Sequence, residues 1–270
     1  MFRSCAHTHT HYCDGKNTPE DMILAAIDLG FVSLGFSGHG IASYDIVSMK
    51  PEQELAYRKE IRALQEKYAD RIEILLGQEH DCLSPYAEFP YDYLIESVHH
   101  LRQPNGYWDV DWDQYHTDIA IKEGFGGDVY AYCKAYFETC ADAYSHSPAQ
   151  IVGHLDLVCK FNQKTPLFDE IDPRYLQPAM EALECAVDRG MVVEVNTGGM
   201  AKGHRNIPYP TKPILRRLKE LGGEVIVNSD CHDKTKLTYG YDLARELLLS
   251  CGFDHTLILR KHGFEEVPLR

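Results

Sequence analysis

The sequence predicts an α/β barrel of seven strand–helix units, with a metal site at the C-terminal ends of its strands. Three observations predict it. Apolar runs of strand length alternate with amphipathic segments along all 270 residues, a pattern that implies a parallel sheet. Histidines and carboxylates stand at or just beyond the ends of six of these runs, and an asparagine at the other. No repeat, low-complexity tract or linker divides the chain, so residues 1–270 read as one domain. An open sheet spreads its strand ends along a line, whereas a closed barrel gathers them around one mouth, where barrel enzymes carry their sites. Seven contributors to one site therefore favour the barrel.

The first run, residues 2–6, leads into His7 and His9, which share a face of an extended strand. Two convergent neutral imidazoles can chelate a divalent ion at little ordering cost. Thr18 then reads as an N-cap, with Pro19 at the first helical position and Gly30 closing the helix. Runs 32–37, 72–76 and 94–98 lead to His39, Glu79 and His99-His100. Run 151–152 leads to His154 and Asp156, 191–195 to Asn196, and 225–228 to Asp230 and His232. Helical spacing joins Leu176, Met180, Leu183 and Val187, then Ile214, Leu215 and Leu218, then Ala244, Leu247, Leu248 and Cys251. Two segments exceed ordinary connections and read as insertions on the metal face: 101–128, rich in aromatics and aspartates, and the Gly- and Pro-rich 197–211.

Composition narrows the function. Hydrophobic residues at 44% and charged residues at 25% suit a globular protein with a substantial core. No stretch approaches ~20 consecutive apolar residues, so no membrane span is expected. The start of the chain has no signal-peptide pattern, and nine cysteines without paired spacing suit reduced thiols, so a cytoplasmic location is expected. A net charge of −14 opposes a nucleic-acid partner. It does not oppose a small anionic substrate, because bound divalent cations can reverse the field locally.

The chemistry follows from the donor types. Imidazoles and carboxylates without a C-x-x-C pair select Zn, Mn or Fe. The set is too large for one ion, so two or three are expected, and Glu79 can bridge two of them with its two oxygens. Such sites activate water and clamp the attacking and leaving oxygens of a phosphate displacement. Arg205 and Lys160 are the expected phosphate clamp, since both follow strands that end at the same mouth; His204 and Lys202 are the nearest substitutes.

The motifs H-T-H-T-x-Y-x-D-G from His7, S-G-H at 37–39, G-Q-E at 77–79, S-V-H-H at 97–100, G-H-L-D at 153–156 and S-D-C-H at 229–232 occur in this order. Together they resemble the PHP family of polymerase and histidinol phosphatase domains, from His7 to about Phe264. The stretch from Glu194 to Gly199, with Pro208-Tyr209-Pro210, resembles the stand-alone phosphatases of that family. The resemblance implies a distorted TIM-like (β/α)7 barrel with a trinuclear metal centre. It assigns one ion to His7, His9, Glu79 and Asp230, a second to Glu79, His99 and His154, and a third to Asp14, His39 and His232. His11 stays open as an alternative to Asp14, and His100 is expected on the opposite strand face from His99. The implied activity is hydrolysis of L-histidinol phosphate to L-histidinol and phosphate, in histidine biosynthesis, through a metal-activated hydroxide. Glu79, Asp230 and His232 are the candidate catalytic residues, with Arg205, Lys160, Asn196 and His204 on the substrate. The alternatives are a PHP phosphoesterase of another small ester, such as a nucleotide, or a metal-binding member without catalysis. The oligomeric state stays open.

Overall fold

A computed structural model describes residues 3–270. Seven strands run parallel in chain order: β1 (Ser4–Cys5), β2 (Ser33–Phe36), β3 (Glu73–Asp81), β4 (Tyr93–Ser97), β7 (Ile151–Val152), β8 (Val192–Asn196) and β9 (Val225–Asn228). They are the seven anticipated strands, except that Phe2 lies outside the described residues. β3 is longer than expected and carries Glu79 within the strand. Beyond the seven, β10 (His255–Arg260) adds parallel to β9, and β11 (Gly263–Pro268) returns antiparallel along it.

Past its last paired residue β1 continues through Thr8, which bridges in parallel to Cys231 just beyond β9. The His9 amide donates to the Cys231 carbonyl at 2.9 Å, and the Cys231 amide to the His7 carbonyl at 3.1 Å. The sheet therefore curls until its first and seventh strands meet at the mouth. At the other end β10 lies close to β2, and the Ser33 hydroxyl donates to the Leu259 carbonyl at 2.7 Å. Closure at one end with an extra strand at the other is the distortion of this barrel.

The barrel interior is filled by Ala6, Leu75, Tyr93, Ile95, Ile151, Val192, Ile226, Leu257 and Leu259. The Tyr93 ring crosses it and donates its hydroxyl to the Ala6 carbonyl. A Cβ on Gly77 would come within 2.3 Å of that ring, so glycine is required before the Gln78-Glu79 segment. Outside the sheet lie α1 (Pro19–Asp28), α2 (Pro51–Lys67), α4 (Val129–His146), α5 (Pro173–Asp188), α7 (Lys212–Glu220) and α8 (Tyr241–Ser250), with short α3 (Gln114–Ile119) and α6 (Gly198–Ala201) near the mouth.

α1 begins as anticipated: the Thr18 hydroxyl accepts from the Asp21 amide at 3.1 Å, Pro19 opens the helix, and Gly30 at φ 71° ends it. α7 buries Ile214, Leu215 and Leu218 as expected. In α5 the deepest stripe is Tyr175, Ala179, Ala182, Leu183 and Ala186, offset from the expected face, while Leu176, Met180 and Val187 are only partly buried. Its small residues admit Tyr136 and Phe137 of α4, and burying each large side chain contributes ~1.5–3 kcal/mol. The insertion 101–128 is structured: with β5 (His100–Gln103) and β6 (Gly106–Asp109) it forms a hairpin, followed by α3 and a turn of π-helix, Ala120–Gly124.

Candidate metal centre at the barrel mouth

Glu79 stands at the centre of the mouth, 1% exposed. Its Oε2 lies 3.1 Å from His7 Nε2, 3.3 Å from His9 Nε2 and 3.2 Å from His39 Nδ1. Its Oε1 lies 2.9 Å from His154 Nε2 and 3.3 Å from His99 Nε2, and accepts from Ser97 Oγ at 2.7 Å. The two oxygens thus face different imidazole sets, as a bridging role requires. Asp230 Oδ1 approaches His9 Nε2 at 3.3 Å and His7 Nε2 at 3.7 Å. Asp14 closes the outer side, with Oδ2 2.9 Å from His232 Nε2 and Oδ1 3.7 Å from His39 Nε2.

Three groups have ligand atoms within 4.8 Å of one another: His9, Asp14, His39 and His232; His7, His9 and Asp230; and His39, Glu79 and His99. His7 Nε2, His9 Nε2 and Glu79 Oε2 are buried yet make no hydrogen bond. Leaving a buried polar atom unpaired costs ~1–3 kcal/mol, and here three such atoms converge. A divalent cation would satisfy all three, so the donor set fits metal. All nine anticipated ligands are brought together. His11 is not: it is exposed and lies tilted against the Tyr12 ring, whereas Asp14 faces the histidines.

Partners behind the imidazoles fix which nitrogen faces the cluster. His7 Nδ1 bonds Glu194 Oε1 at 2.7 Å, and His232 Nδ1 bonds the Asp230 carbonyl at 2.9 Å. His99 Nδ1 lies 3.4 Å from Asp81 Oδ2. Such outer partners set tautomer and ring orientation. Burial opposes charge on His7, but Glu194, Glu79 and Asp230 outweigh it and raise its pKa. Burial likewise opposes ionisation of Glu79, and the surrounding histidines hold its pKa well below the usual range. His39 goes the other way, lowered to about 3 chiefly by burial.

Backbone geometry aims Asp230. It is the one non-glycine residue at positive φ among the described residues, at 47°, a conformation uncommon outside glycine that recurs at functional turns. A Cβ on Gly198 would come within 2.7 Å of Asp230 Oδ2, so glycine there lets the 197–211 segment close over the carboxylate.

Beside the cluster lies a cavity of about 220 Å³. Its lining includes the cationic or basic Lys160, Lys202 and His204 together with Asp45, Asp109, Asp111 and Trp112. Lys160 Nζ bonds Asp111 Oδ2 at 2.8 Å, and Lys202 Nζ lies 3.4 Å from His232 Nε2. Although desolvation opposes it, Asp230 and Asp14 raise the pKa of Lys202. Burial and the neighbouring lysines lower His204 to about 4, so its ring stays neutral near pH 7.

Arg205 departs from the expected clamp. It does not line the cavity. Its guanidinium is buried, donates to the Cys159 carbonyl at 2.7 Å and forks onto Glu170 at 3.2 Å from each nitrogen. A carboxylate from the preceding loop has taken the fork that phosphate was expected to occupy. Asn196 lies beneath the cavity, donating to Glu194 at 2.8 Å and to Asp230 at 3.3 Å. His100 is buried and does reach the cavity wall, 3.0 Å from Asp109 Oδ1.

Sequence reasoning gave no role to Glu194, Asp81, Asp45, Asp109 or Asp111. A signal existed for Glu194, a carboxylate inside the apolar run Val192-Val193-Glu194-Val195, where an unpaired charge would be untenable. Asp109 and Asp111 come from the insertion, and nothing local in the sequence reveals that its hairpin folds back over the mouth.

A curled parallel barrel that converges imidazoles and carboxylates on unpaired buried atoms defines a metal-site barrel protein. The model of the PHP domain matches residues 6–198, and the chain belongs to that family. A protein of Deinococcus radiodurans named "Probable histidinol-phosphatase" is 30% identical over 255 residues, covering 90% of this chain and 91% of that one. The histidinol-phosphatase of Bacillus subtilis is 27% identical over 90% of this chain and 98% of its own. The crystal structure of histidinol phosphate phosphatase from Lactococcus lactis, complexed with zinc, L-histidinol and phosphate, superposes with a TM-score of 0.75 at 20% identity, covering 98% of this chain and 99% of that one.

Proposed function

We propose that this chain is a divalent-metal-dependent phosphomonoesterase that hydrolyses L-histidinol phosphate to L-histidinol and phosphate. The observation that carries this reading is Glu79, whose two oxygens face separate imidazole sets amid buried, unpaired ligand atoms. The curated relatives, named histidinol-phosphatases over about nine-tenths of this chain, support the substrate.

In this reading His7, His9, Glu79 and Asp230 hold one ion, Glu79, His99 and His154 a second, and Asp14, His39 and His232 a third. Zinc, which the Lactococcus protein binds, is the first candidate, with Mn or Fe as alternatives. Divalent ions of this kind acidify water and offset the charge of a phosphoryl group. The protein's own groups do the rest. Lys202 presents its cationic head to the phosphate side of the cavity, Lys160 lines the same cavity with its head paired to Asp111, and neutral His204 adds a polar edge. Asp45, Asp109 and Trp112 face the amine and imidazole side of the ester. His232, with Nδ1 on the Asp230 carbonyl and Nε2 2.9 Å from Asp14, is oriented as a ligand of the third ion, so the proton that the leaving alkoxide requires comes from water in the cavity. Asn196 keeps Asp230 aimed, and Arg205 braces the segment that carries Lys202 and His204. The working unit is the whole barrel, residues 1–270. The nine free cysteines suit the reducing cytoplasm, where histidine biosynthesis would place the reaction.

The test is elemental analysis of purified protein, followed by phosphate release from histidinol phosphate, nucleotides and phosphotyrosine, before and after strong chelation. Two to three ions per chain and a chelator-sensitive preference for histidinol phosphate are expected. Metal-free protein with full activity, or a clear preference for a nucleotide, would overturn the reading.

A further inference from the structure

Glu194 is fully buried in the middle of β8 and carries four hydrogen bonds. Its Oε1 bonds His7 Nδ1 at 2.7 Å and accepts from Asn228 Nδ2 at 3.0 Å. Its Oε2 accepts from the His154 amide at 2.9 Å and from Asn196 Nδ2 at 2.8 Å. Asn196 in turn donates to Asp230 at 3.3 Å. One carboxylate is thus tied to His7 on the Glu79 Oε2 side, to the backbone of His154 on the Oε1 side, and through an amide to Asp230.

We infer that Glu194 is a positioning residue that couples the two ion positions sharing Glu79. The inference rests on the metal reading of the mouth. Because Glu194 accepts the Nδ1 proton of His7, the Nε2 lone pair must point into the cluster, where that atom is otherwise unpaired. The same carboxylate pins the amide of His154, whose Nε2 faces the other oxygen of Glu79. Rotation of Glu194 would disturb both sides together. By contrast, none of the hydrogen bonds of Glu194 goes to the third group, Asp14, His39 and His232, in which His232 takes its orientation from the Asp230 carbonyl and Asp14 pairs with His232.

Glu194→Gln cannot satisfy four donors with one oxygen, and it removes the charge that makes His7 a more basic ligand. Loss of an outer carboxylate typically weakens metal binding 10–100-fold. The expected result is that Glu194→Gln protein, equilibrated with buffered free zinc, loses about two ions per chain over the range where wild type stays full. About one ion, the outer one, should persist. In a His7→Ala background the same substitution should weaken binding by less than threefold, since one of its two routes is already cut. Circular dichroism and thermal unfolding of metal-free protein report fold. A second measurement needs no variant: in cadmium-loaded wild type, nitrogen NMR should find the His7 proton on Nδ1 and the cadmium coupling on Nε2. A proton on Nε2, or an unchanged zinc isotherm in a folded Glu194→Gln protein, overturns the coupling. If wild type itself binds no divalent ion, the metal reading fails first, and the two failures are distinguished.

Discussion

Arg205→Ala separates a brace from a phosphate clamp. The guanidinium side chain is 1% exposed and Glu170 is 22% exposed. The substitution removes a 2.7 Å bond to the Cys159 carbonyl, a fork onto Glu170 and a cation stacked 5.3 Å from the Tyr209 ring centre. Breaking a buried ion pair by deleting one partner costs ~3–5 kcal/mol. Glu170 can regain water on its exposed edge, which brings the expected loss to about 2 kcal/mol, or roughly 4–8 °C in melting temperature for a chain of this size. Arg205→Lys keeps the charge and loses the fork, so it should fall between wild type and alanine. Since the guanidinium does not line the cavity, kcat/KM for histidinol phosphate, assayed well below the melting point, should stay within about threefold of wild type. Thermal unfolding and steady-state kinetics on the same preparations decide it. An unchanged melting temperature with a ten- to hundredfold drop in kcat/KM would refute the reasoning and return Arg205 to the phosphate.

Glu79→Gln should lower phosphate release by at least about a hundredfold, because breaking a buried charge network on this scale costs ~3–5 kcal/mol; near-normal rate and metal content would contradict the bridging geometry. Asp14→Ala should reduce bound metal by about one ion per chain, whereas His11→Ala should leave metal and rate nearly unchanged, as elemental analysis and kinetics will show. Away from the mouth, Arg260 forks onto Glu73 at 2.9 Å from each nitrogen, and that pairing lowers the Glu73 carboxyl from 4.5 to about 2. A folded-state pKa below the unfolded one stabilises the protein above pH 4.5 and ceases to do so as pH falls toward 2. The stability gap between wild type and Glu73→Gln should therefore be about 1 kcal/mol at neutral pH and narrow through that window; a gap that is constant from pH 6 to pH 3 in denaturant titrations would discount the pair.

The barrel was legible because its seven strands are short apolar runs whose ends carry unusual residues. A histidine or carboxylate beside Val-Ile-Leu sequence is costly unless paired, so each marks a strand end that faces a site. β10 and β11 were not legible by that route. Residues 255–260 hold only three consecutive apolar residues, Leu257-Ile258-Leu259, between His255-Thr256 and Arg260, and they end in no ligand. Their place is set by the gap that incomplete closure leaves beside β2, which is a property of the assembled sheet. Nor could periodicity predict which face of α5 packs deepest, because alanines bury most closely where a neighbouring helix approaches, and the sequence names no neighbour.

The site divides along the same line. Residues that would touch metal announce themselves by type and position, and Asp14 and His11 were separated only by where the turn after His9 places them. Arg205 shows the opposite case. Its chemistry suits phosphate and Glu170 equally, since both offer the fork two oxygens, so composition and loop position could not choose between them. The choice was made by burial: a guanidinium at 1% exposure needs a permanent counter-charge, and Glu170 supplies one. Lys202 has no such carboxylate fork; it remains exposed beside His232, with Asp14 and Asp230 raising its pKa. A cation that must meet a transient anion has to stay uncommitted between turnovers, and of the two only Lys202 does.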